Sequence, residues 1–130
     1  MVSMLRIYTN SNGTTELTVD KVKKAVPAGE TLVDERRLFL KSDNTQKTYE
    51  DITITAINDT DNASRSGEID YLYAPDNSGS PGQYVQSLQM QNGSYDTAVP
   101  FWRKVVAPKV NDSFNNTVIQ HSVSFKQFDK

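Results

Sequence analysis

The chain of 130 residues contains no cysteine and a single histidine, His121. The absence of cysteine excludes disulfide bonds, zinc–thiolate sites and cysteine nucleophiles. A catalytic triad would need His121 as its base, and one histidine with scattered carboxylates does not match a zinc site. His121 falls in the apolar-facing register of a strand pattern. We therefore predict a hydrogen-bonded core histidine rather than a catalytic base.

Excess charge and long apolar runs are scarce as well. The formal net charge of −2 gives no general attraction to nucleic acid or to anionic membranes. No apolar run approaches the roughly 18 residues that a transmembrane helix requires. The first residues also lack the basic, apolar and small-residue parts of a signal peptide. We therefore expect a protein made in the cytosol, with neither nucleic acid nor membrane among its partners.

The chain is rich instead in short strand patterns separated by turn residues. The clearest pattern spans 36–57, where a strand, a polar turn and a second strand predict an antiparallel hairpin, with Ile52, Ile54 and Ala56 on its buried face. The other predicted strands are 4–9 and 14–19 (a hairpin around Asn12-Gly13), 68–74, 84–90 (with a bulge between Val85 and Leu88), 98–108 and 117–128. These turn signals at about ten-residue intervals predict one domain over 1–130, an all-β antiparallel sandwich of seven to nine strands.

Other segments are expected to differ from this pattern. Val19, Val22 and Val26 are spaced as in a helix, which predicts one helical turn from Asp20 to Ala25. Long loops are predicted over 58–67 and 75–82 because both are rich in turn-forming residues. Prolines flank the strand 98–108, which indicates an edge strand or a crossover between sheets.

Acidic residues provide only weak candidates for chemistry. Asp59 and Asp61, with Asp70 and Asp76 nearby in sequence, offer oxygen ligands for calcium, although their spacing does not match an EF-hand loop. Asx turns are the alternative. Glu68 and Asp70 form a carboxylate pair on one strand face, which is common on hydrated sheets and does not define a glycosidase. We predict no catalytic residue, no metal site and no cofactor.

Aromatic residues and one arginine are the candidate interaction residues. Tyr71, Tyr73, Tyr84 and Trp102 offer flat faces for stacking on sugar rings, or else they fill the core. Trp102 and its neighbour Arg103 are the residue types that dominate protein interfaces. Burial of Trp102 in the core is again the alternative.

Two segments carry a resemblance to known families. The unit 38–56 followed by a late strand resembles the immunoglobulin-like β-sandwich modules of extracellular and viral proteins. The segment Gly93–Val105, leading through a proline-containing turn to a final alternating strand, is similar to small structural proteins of tailed-bacteriophage virions. With 35–56, this second resemblance covers most of residues 33–130. It implies an assembly component of a head, neck or tail, made in the bacterial cytoplasm and located in the virion.

Three functional hypotheses follow from the sequence. The first is a non-enzymatic structural protein of a phage particle that binds copies of itself or another virion protein. The second is a carbohydrate-binding module that stacks sugars on the aromatic residues. The third is a hydrolase that uses His121 or the loop carboxylates, and nothing in the sequence favours it over the other two.

Overall fold

A computed structural model describes residues 5–17, 20–24, 30–57, 70–110 and 114–130. These residues form nine strands, in agreement with the seven to nine predicted. In chain order the strands are β1 (Leu5–Tyr8), β2 (Asp20–Lys24), β3 (Glu30–Ser42), β4 (Lys47–Ile57), β5 (Asp70–Asn77), β6 (Ser80–Pro81), β7 (Leu88–Met90), β8 (Val99–Val110) and β9 (Phe114–Asp129). In this described part of the chain there is no helix long and apolar enough to cross a membrane.

The strands form two antiparallel sheets. The five-stranded sheet has the order β1-β3-β8-β5-β6, and the four-stranded sheet has the order β2-β9-β4-β7. Pairing is nested along the chain, because β2 lies beside β9 and β3 lies beside β8. The all-β class and the antiparallel pairing are as predicted.

The sheets bury one apolar core between them. Leu38, Leu40 and Phe101 from the five-stranded sheet and Ile52 and Ile54 from the four-stranded sheet have no solvent exposure. Each buried side chain of this size stabilises the fold by about 1.5–3 kcal/mol relative to an exposed one. The predicted inward face of β4 is confirmed for both isoleucines, and Ala56 packs partly buried against the same cluster.

The predicted hairpin over 36–57 does not form. β3 and β4 belong to different sheets, so the polar turn between them carries the chain across the sandwich. Ser42 organises this crossing: its Oγ lies 2.7 Å from the Tyr49 hydroxyl and accepts a hydrogen bond of 3.0 Å from the Asn44 backbone N–H. Alternation defines which face of a strand is buried, but it does not define the partner strand.

Three further segments have a pairing or a place in the sheets that differs from the prediction. The predicted strand 84–90 is divided between the sheets, because Val85 pairs with Tyr73 of β5 whereas β7 pairs with β4. The predicted loop 75–82 is a tight hairpin of β5 and β6 around Ser78-Gly79. The proline-flanked strand is β8, which is central rather than at an edge. The predicted loop 58–67 lies outside the described residues.

The N-terminal predictions are partly confirmed. Tyr8 pairs with Glu16 in an antiparallel bridge, and the backbone N–H of Gly13 donates to the Asn10 carbonyl at 3.1 Å, as expected for the first hairpin. The predicted helical turn from Asp20 is wrong, because 20–24 is the strand β2 and pairs with the first half of β9. Valines at helical spacing are β-branched residues that also suit a strand.

Candidate functional site

Six polar side chains connect the two sheets inside the sandwich, and we call them the polar network. Asp20 and Arg103 are each only 1% exposed, whereas Asp34 and Arg36 extend to the surface. The members are Asp20 from β2, Asp34 and Arg36 from β3, Tyr73 from β5, Arg103 from β8 and His121 from β9. Charged groups therefore fill the space between the sheets at this end of the sandwich, whereas apolar side chains fill it at the other end.

Asp20 is the centre of the polar network. Its Oδ1 accepts hydrogen bonds from Arg36 at 3.1 Å and from Arg103 Nη2 at 2.9 Å. Its Oδ2 accepts from Arg103 Nε at 2.9 Å and from His121 Nε2 at 2.7 Å. Burial raises the pKa of Asp20, but the hydrogen bond from His121 and the charge of Arg103 outweigh burial and lower this pKa to about 2. A carboxylate with all four acceptor positions filled is well satisfied despite its burial.

The network continues from Asp20 through His121 to Tyr73. The Tyr73 hydroxyl lies 2.6 Å from Nδ1 of His121, so both ring nitrogens have partners. The prediction of a hydrogen-bonded core histidine is therefore confirmed. Arg103 also donates through Nη1 to the Asp34 carboxylate at 2.6 Å, which extends the charged chain towards the surface.

The order hydroxyl, imidazole and carboxylate is the order of a catalytic triad, but the chemical setting differs. The hydroxyl belongs to Tyr73, which has no solvent exposure. Burial and the charge of Asp20 raise the pKa of this hydroxyl well above its ordinary value, which opposes formation of a nucleophilic phenolate. Arg103 holds the carboxylate by two hydrogen bonds. The arrangement is better suited to joining the two sheets through hydrogen bonds than to covalent catalysis.

Three residues proposed for an interaction surface are not available on the outside of the sandwich. Arg103 and Tyr73 lie in the polar network, so their prediction as exposed contacts is wrong. Tyr71 pairs with the buried Val105, which places it half-buried on the core side of β5. Because β5 alternates its side chains, a tyrosine two residues before Tyr73 faces the same side as Tyr73.

Trp102 and Tyr84 lie on the opposite side of the five-stranded sheet, which we call the outer face. Cross-strand rows define this face, because Arg37 pairs with Trp102, which pairs with Ala74, and Glu35 pairs with Lys104. Further residues of these rows are Val33, Phe39, Asp70, Leu72, Pro100 and Val106, and Asp76 lies on the same side of β5 by alternation. The structure thus brings together two of the five predicted interaction residues and separates the other three from them.

Trp102 is half-buried on the outer face and is held in a fixed orientation. Its indole N–H donates to Oδ1 of Asp76 at 2.8 Å. The other oxygen of Asp76 accepts from Arg37 at 3.2 Å and from the Gly79 backbone N–H at 3.2 Å. Burial tends to raise the pKa of Asp76, but the hydrogen bonds from Trp102, Gly79 and Arg37 lower it overall. The guanidinium of Arg37 also lies 5.3 Å from the Phe39 ring centroid, in cation–π contact.

Tyr84 forms a second fixed group on the outer face. Its hydroxyl donates to Glu35 at 2.7 Å, and Lys104 Nζ lies 4.2 Å from the centre of its ring. Burial and the bond to Glu35 raise the pKa of Tyr84. Trp102 and Tyr84 are therefore each oriented by a carboxylate and accompanied by a cation.

The sequence alone does not reveal the residues that organise the polar network and the outer face. The sequence pattern predicts a helical turn at Asp20 and offers Asp76 only as a calcium ligand. It places Arg37 in a strand without giving it a role. The signal that finds them is the sheet register, because Arg37 and Trp102 are distant in sequence and adjacent only once β3 pairs with β8.

Neither metal-binding residues nor comparison with known proteins points to a further site in the described part of the chain. Within the described residues, no group of three or more histidine and carboxylate side chains is positioned to hold a metal ion. Asp59 and Asp61, the predicted calcium ligands, and Glu68 lie outside those residues, while Asp70 is exposed at the start of β5. Comparison of the chain with protein-family models, curated proteins and solved structures gives no match.

Proposed function

We propose that the protein is a non-enzymatic structural protein that assembles through the outer face of its five-stranded sheet. The observation that carries the proposal is the fixed Trp102, surrounded by Arg37, Asp76 and half-buried apolar neighbours. The outward side of an antiparallel sheet is ordinarily polar. Here it carries Trp, Tyr and Arg, the residue types that contribute most to interface free energy.

Exposed apolar side chains extend this surface beyond Trp102. Val33 is 42% exposed and pairs with the half-buried Val106, one row beyond Glu35 and Lys104. Leu72 is half-buried beside Lys104 in the same surface. Apolar and charged side chains therefore alternate from row to row on this face, because the Glu35–Lys104 row lies between Val33 and Trp102. A mixture of apolar and polar groups is typical of interfaces between separately folded proteins.

The partner that we propose is a second copy of the chain. The outer-face rows carry three acidic residues, Glu35, Asp70 and Asp76, and two basic residues, Arg37 and Lys104, so charges of both signs are interspersed. A two-fold interface brings the same patch of both subunits together, and a patch with both signs interspersed is able to complement itself. A strongly basic or acidic partner has no corresponding excess of charge to meet here.

Light scattering coupled to size-exclusion chromatography tests this proposal. We expect a discrete homo-oligomer for the unaltered chain and a monomer for Trp102→Ala and Val33→Glu. Val33→Glu is a safe second variant, because an exposed side chain is replaced and the core is left intact. Phe128→Ala and Val85→Glu are matched controls, since these residues are also exposed but do not belong to the outer-face rows. A monomeric unaltered chain, or an oligomer insensitive to both variants, overturns the proposal.

We further propose that the sandwich is a jelly roll rather than the immunoglobulin-like sandwich predicted from the strand pattern. The support is the strand order. Without β1, the two sheets have the orders β3-β8-β5-β6 and β2-β9-β4-β7. The strands β2 and β3 therefore lie beside β9 and β8, and the strands β4 and β5 lie beside β7 and β6. Jelly rolls combine two Greek keys in eight strands. Immunoglobulin domains instead combine the strand sets ABED and CFG.

A place in a phage particle remains a proposal that rests on the sequence resemblance. Jelly rolls build viral capsid proteins and also lectins, so this analogy of fold supports the proposal without specifying it. The neighbourhood of the gene is the direct test. Head or tail genes on either side are the expected result, and a neighbourhood without virion genes, together with absence of the protein from purified particles, contradicts the virion assignment.

A further inference from the structure

A groove of about 480 Å³ lies where β7 and the segment after it approach the adjoining ends of β5 and β8. One wall is formed by 89–97, which comprises the end of β7 and the segment after it. The other wall consists of Pro75 and Asp76 from β5 and Val99 and Pro100 from β8. This volume is within the range of sites for small ligands, which is about 300–1,000 Å³.

The groove lining is rich in uncharged hydrogen-bonding groups. Three side-chain amides and two aliphatic hydroxyls contribute to it, and neither lysine nor arginine is among the described residues that line it. Both carboxylates of the lining have cationic partners, since Asp76 accepts from Arg37 and Asp96 accepts from Lys130 at 2.7 Å. An anionic ligand finds no cation in the described lining, and both acids already have a cationic partner, although Oδ1 of Asp96 is buried without a hydrogen-bond partner and is open to a neutral donor. The amides and hydroxyls are Gln89, Gln91, Asn92, Ser94 and Thr97.

The apolar part of the groove complements these polar groups. Pro75, Met90 and Pro100 present carbon atoms within the same lining. A ligand that matches both parts has many hydroxyl groups around its edge and C–H groups on its faces. These are the features of a pyranose ring. We propose that the groove is a binding site for a neutral saccharide.

The wall of the groove is held in a defined conformation before any ligand binds. Tyr95 has a positive φ of 55°, which is unfavourable for a bulky residue. Its hydroxyl donates to the Gln91 carbonyl at 2.6 Å, and burial raises the pKa of this hydroxyl to about 12. Tyr49 and Gly93 exchange backbone hydrogen bonds of 2.8 and 3.0 Å. A preformed wall loses less conformational entropy when it binds a ligand.

Trp102 supplies a built-in reporter for the groove. It is the only tryptophan of the chain, and its indole N–H is bonded to Asp76, which lines the groove. A ligand that changes the surroundings of Asp76 changes the surroundings of the indole as well. Binding in the groove is therefore expected to alter tryptophan fluorescence.

The test is a titration of the protein with neutral di- and trisaccharides of glucose, galactose, mannose and N-acetylglucosamine, at up to millimolar concentration. Fluorescence and calorimetry are followed in parallel. We expect saturable binding of at least one neutral sugar. The double variant Gln89→Ala/Thr97→Ala, which removes two exposed groups of the lining, is expected to bind about tenfold more weakly. Gln83→Ala is the matched control, because Gln83 is exposed and lies outside the lining.

Three results overturn the inference. The first is the absence of any fluorescence change or heat with every neutral sugar, and the second is binding that the double variant leaves unchanged. The third is a preference for sialylated or sulfated glycans over the neutral sugars, since the described lining has no cation. This inference rests on the polar lining at 89–97, which lies outside the outer-face rows, although Asp76 and Pro100 belong both to the groove and to the assembly surface. Size-exclusion chromatography of the double variant keeps the two separable, because its oligomeric state is expected to be unchanged.

Discussion

At the scale of single residues, Asp20 is the buried charge on which the hydrogen bonds of the polar network converge. It is fully buried, ionised and bonded to three cationic or donor side chains from three other strands. Sequence reasoning placed His121 correctly as a hydrogen-bonded histidine, because its register on β9 is apolar. It did not place Asp20, because an aspartate beside spaced valines looks like the start of a helix.

The variant Asp20→Asn tests this role. It leaves the shape of the side chain almost unchanged but removes the negative charge that pairs with Arg103 at a buried position. We expect the free energy of unfolding to fall by about 3–5 kcal/mol, as when one partner of a buried ion pair is removed. Denaturation by urea measures this change. Asp129→Asn is the control, since Asp129 is 83% exposed beside Lys47 and its loss is expected to change stability very little. Equal effects of the two variants would contradict the role of Asp20.

The same residue predicts how stability depends on pH. The folded pKa of Asp20 is about 2, below the ordinary value of 3.8. A group with a lowered folded pKa stabilises the fold above its ordinary pKa, and this contribution is lost as pH falls through the folded value. We therefore expect Asp20 to contribute about 2 kcal/mol that is fully present at neutral pH and disappears between about pH 4 and pH 2. Unfolding measured across this window is expected to be steeper in the unaltered chain than in Asp20→Asn, and parallel curves would contradict the assignment.

At the scale of strands, the sequence pattern predicts which face of a strand is buried but not which strand it pairs with. Alternation over 52–56 correctly gave the inward face of β4, and the final strand is β9 as expected. Alternation did not reveal that β3 and β4 lie in different sheets, because a polar turn of a few residues serves a hairpin and a crossover equally well. Tyr49 and Ile52 are both fully buried although three positions apart, which strict alternation forbids.

A bulge at Asp51 explains this pair of buried residues and provides a prediction. The pairing of β4 with β9 shifts register between Glu50 and Thr53, and Asp51 has a positive φ of 52°. Aspartate tolerates this conformation, whereas a β-branched residue does not. We expect Asp51→Val to lower the free energy of unfolding by about 1–3 kcal/mol. Glu50→Val is the matched control, because Glu50 is an exposed neighbour without a positive φ and valine suits a strand. Thermal denaturation compares the two, and a similar loss in both would remove the argument from backbone strain.

At the scale of the whole molecule, the sandwich is held together in two different ways. Apolar side chains join the sheets at one end, and the polar network joins them at the other. The composition predicted a sandwich core of this kind in general terms. The network was beyond prediction because its members come from five strands, and their proximity depends on the complete order of both sheets.

A double-mutant cycle between Asp20 and Arg103 measures how strongly this end couples the sheets. Arg103→Met alone leaves Asp20 without its two-point partner, so we expect a loss of about 3–5 kcal/mol, comparable to that of Asp20→Asn. The double variant contains neither unpaired charge and is expected to lose much less than the sum of the two single losses. Since the two residues belong to different sheets, the difference is the coupling free energy across the sandwich. The cycle between Lys47 and Asp129, which pair across two neighbouring strands on the surface, serves as the reference and is expected to be nearly additive. Additive losses for Asp20 and Arg103 would mean that this ion pair does not couple the sheets.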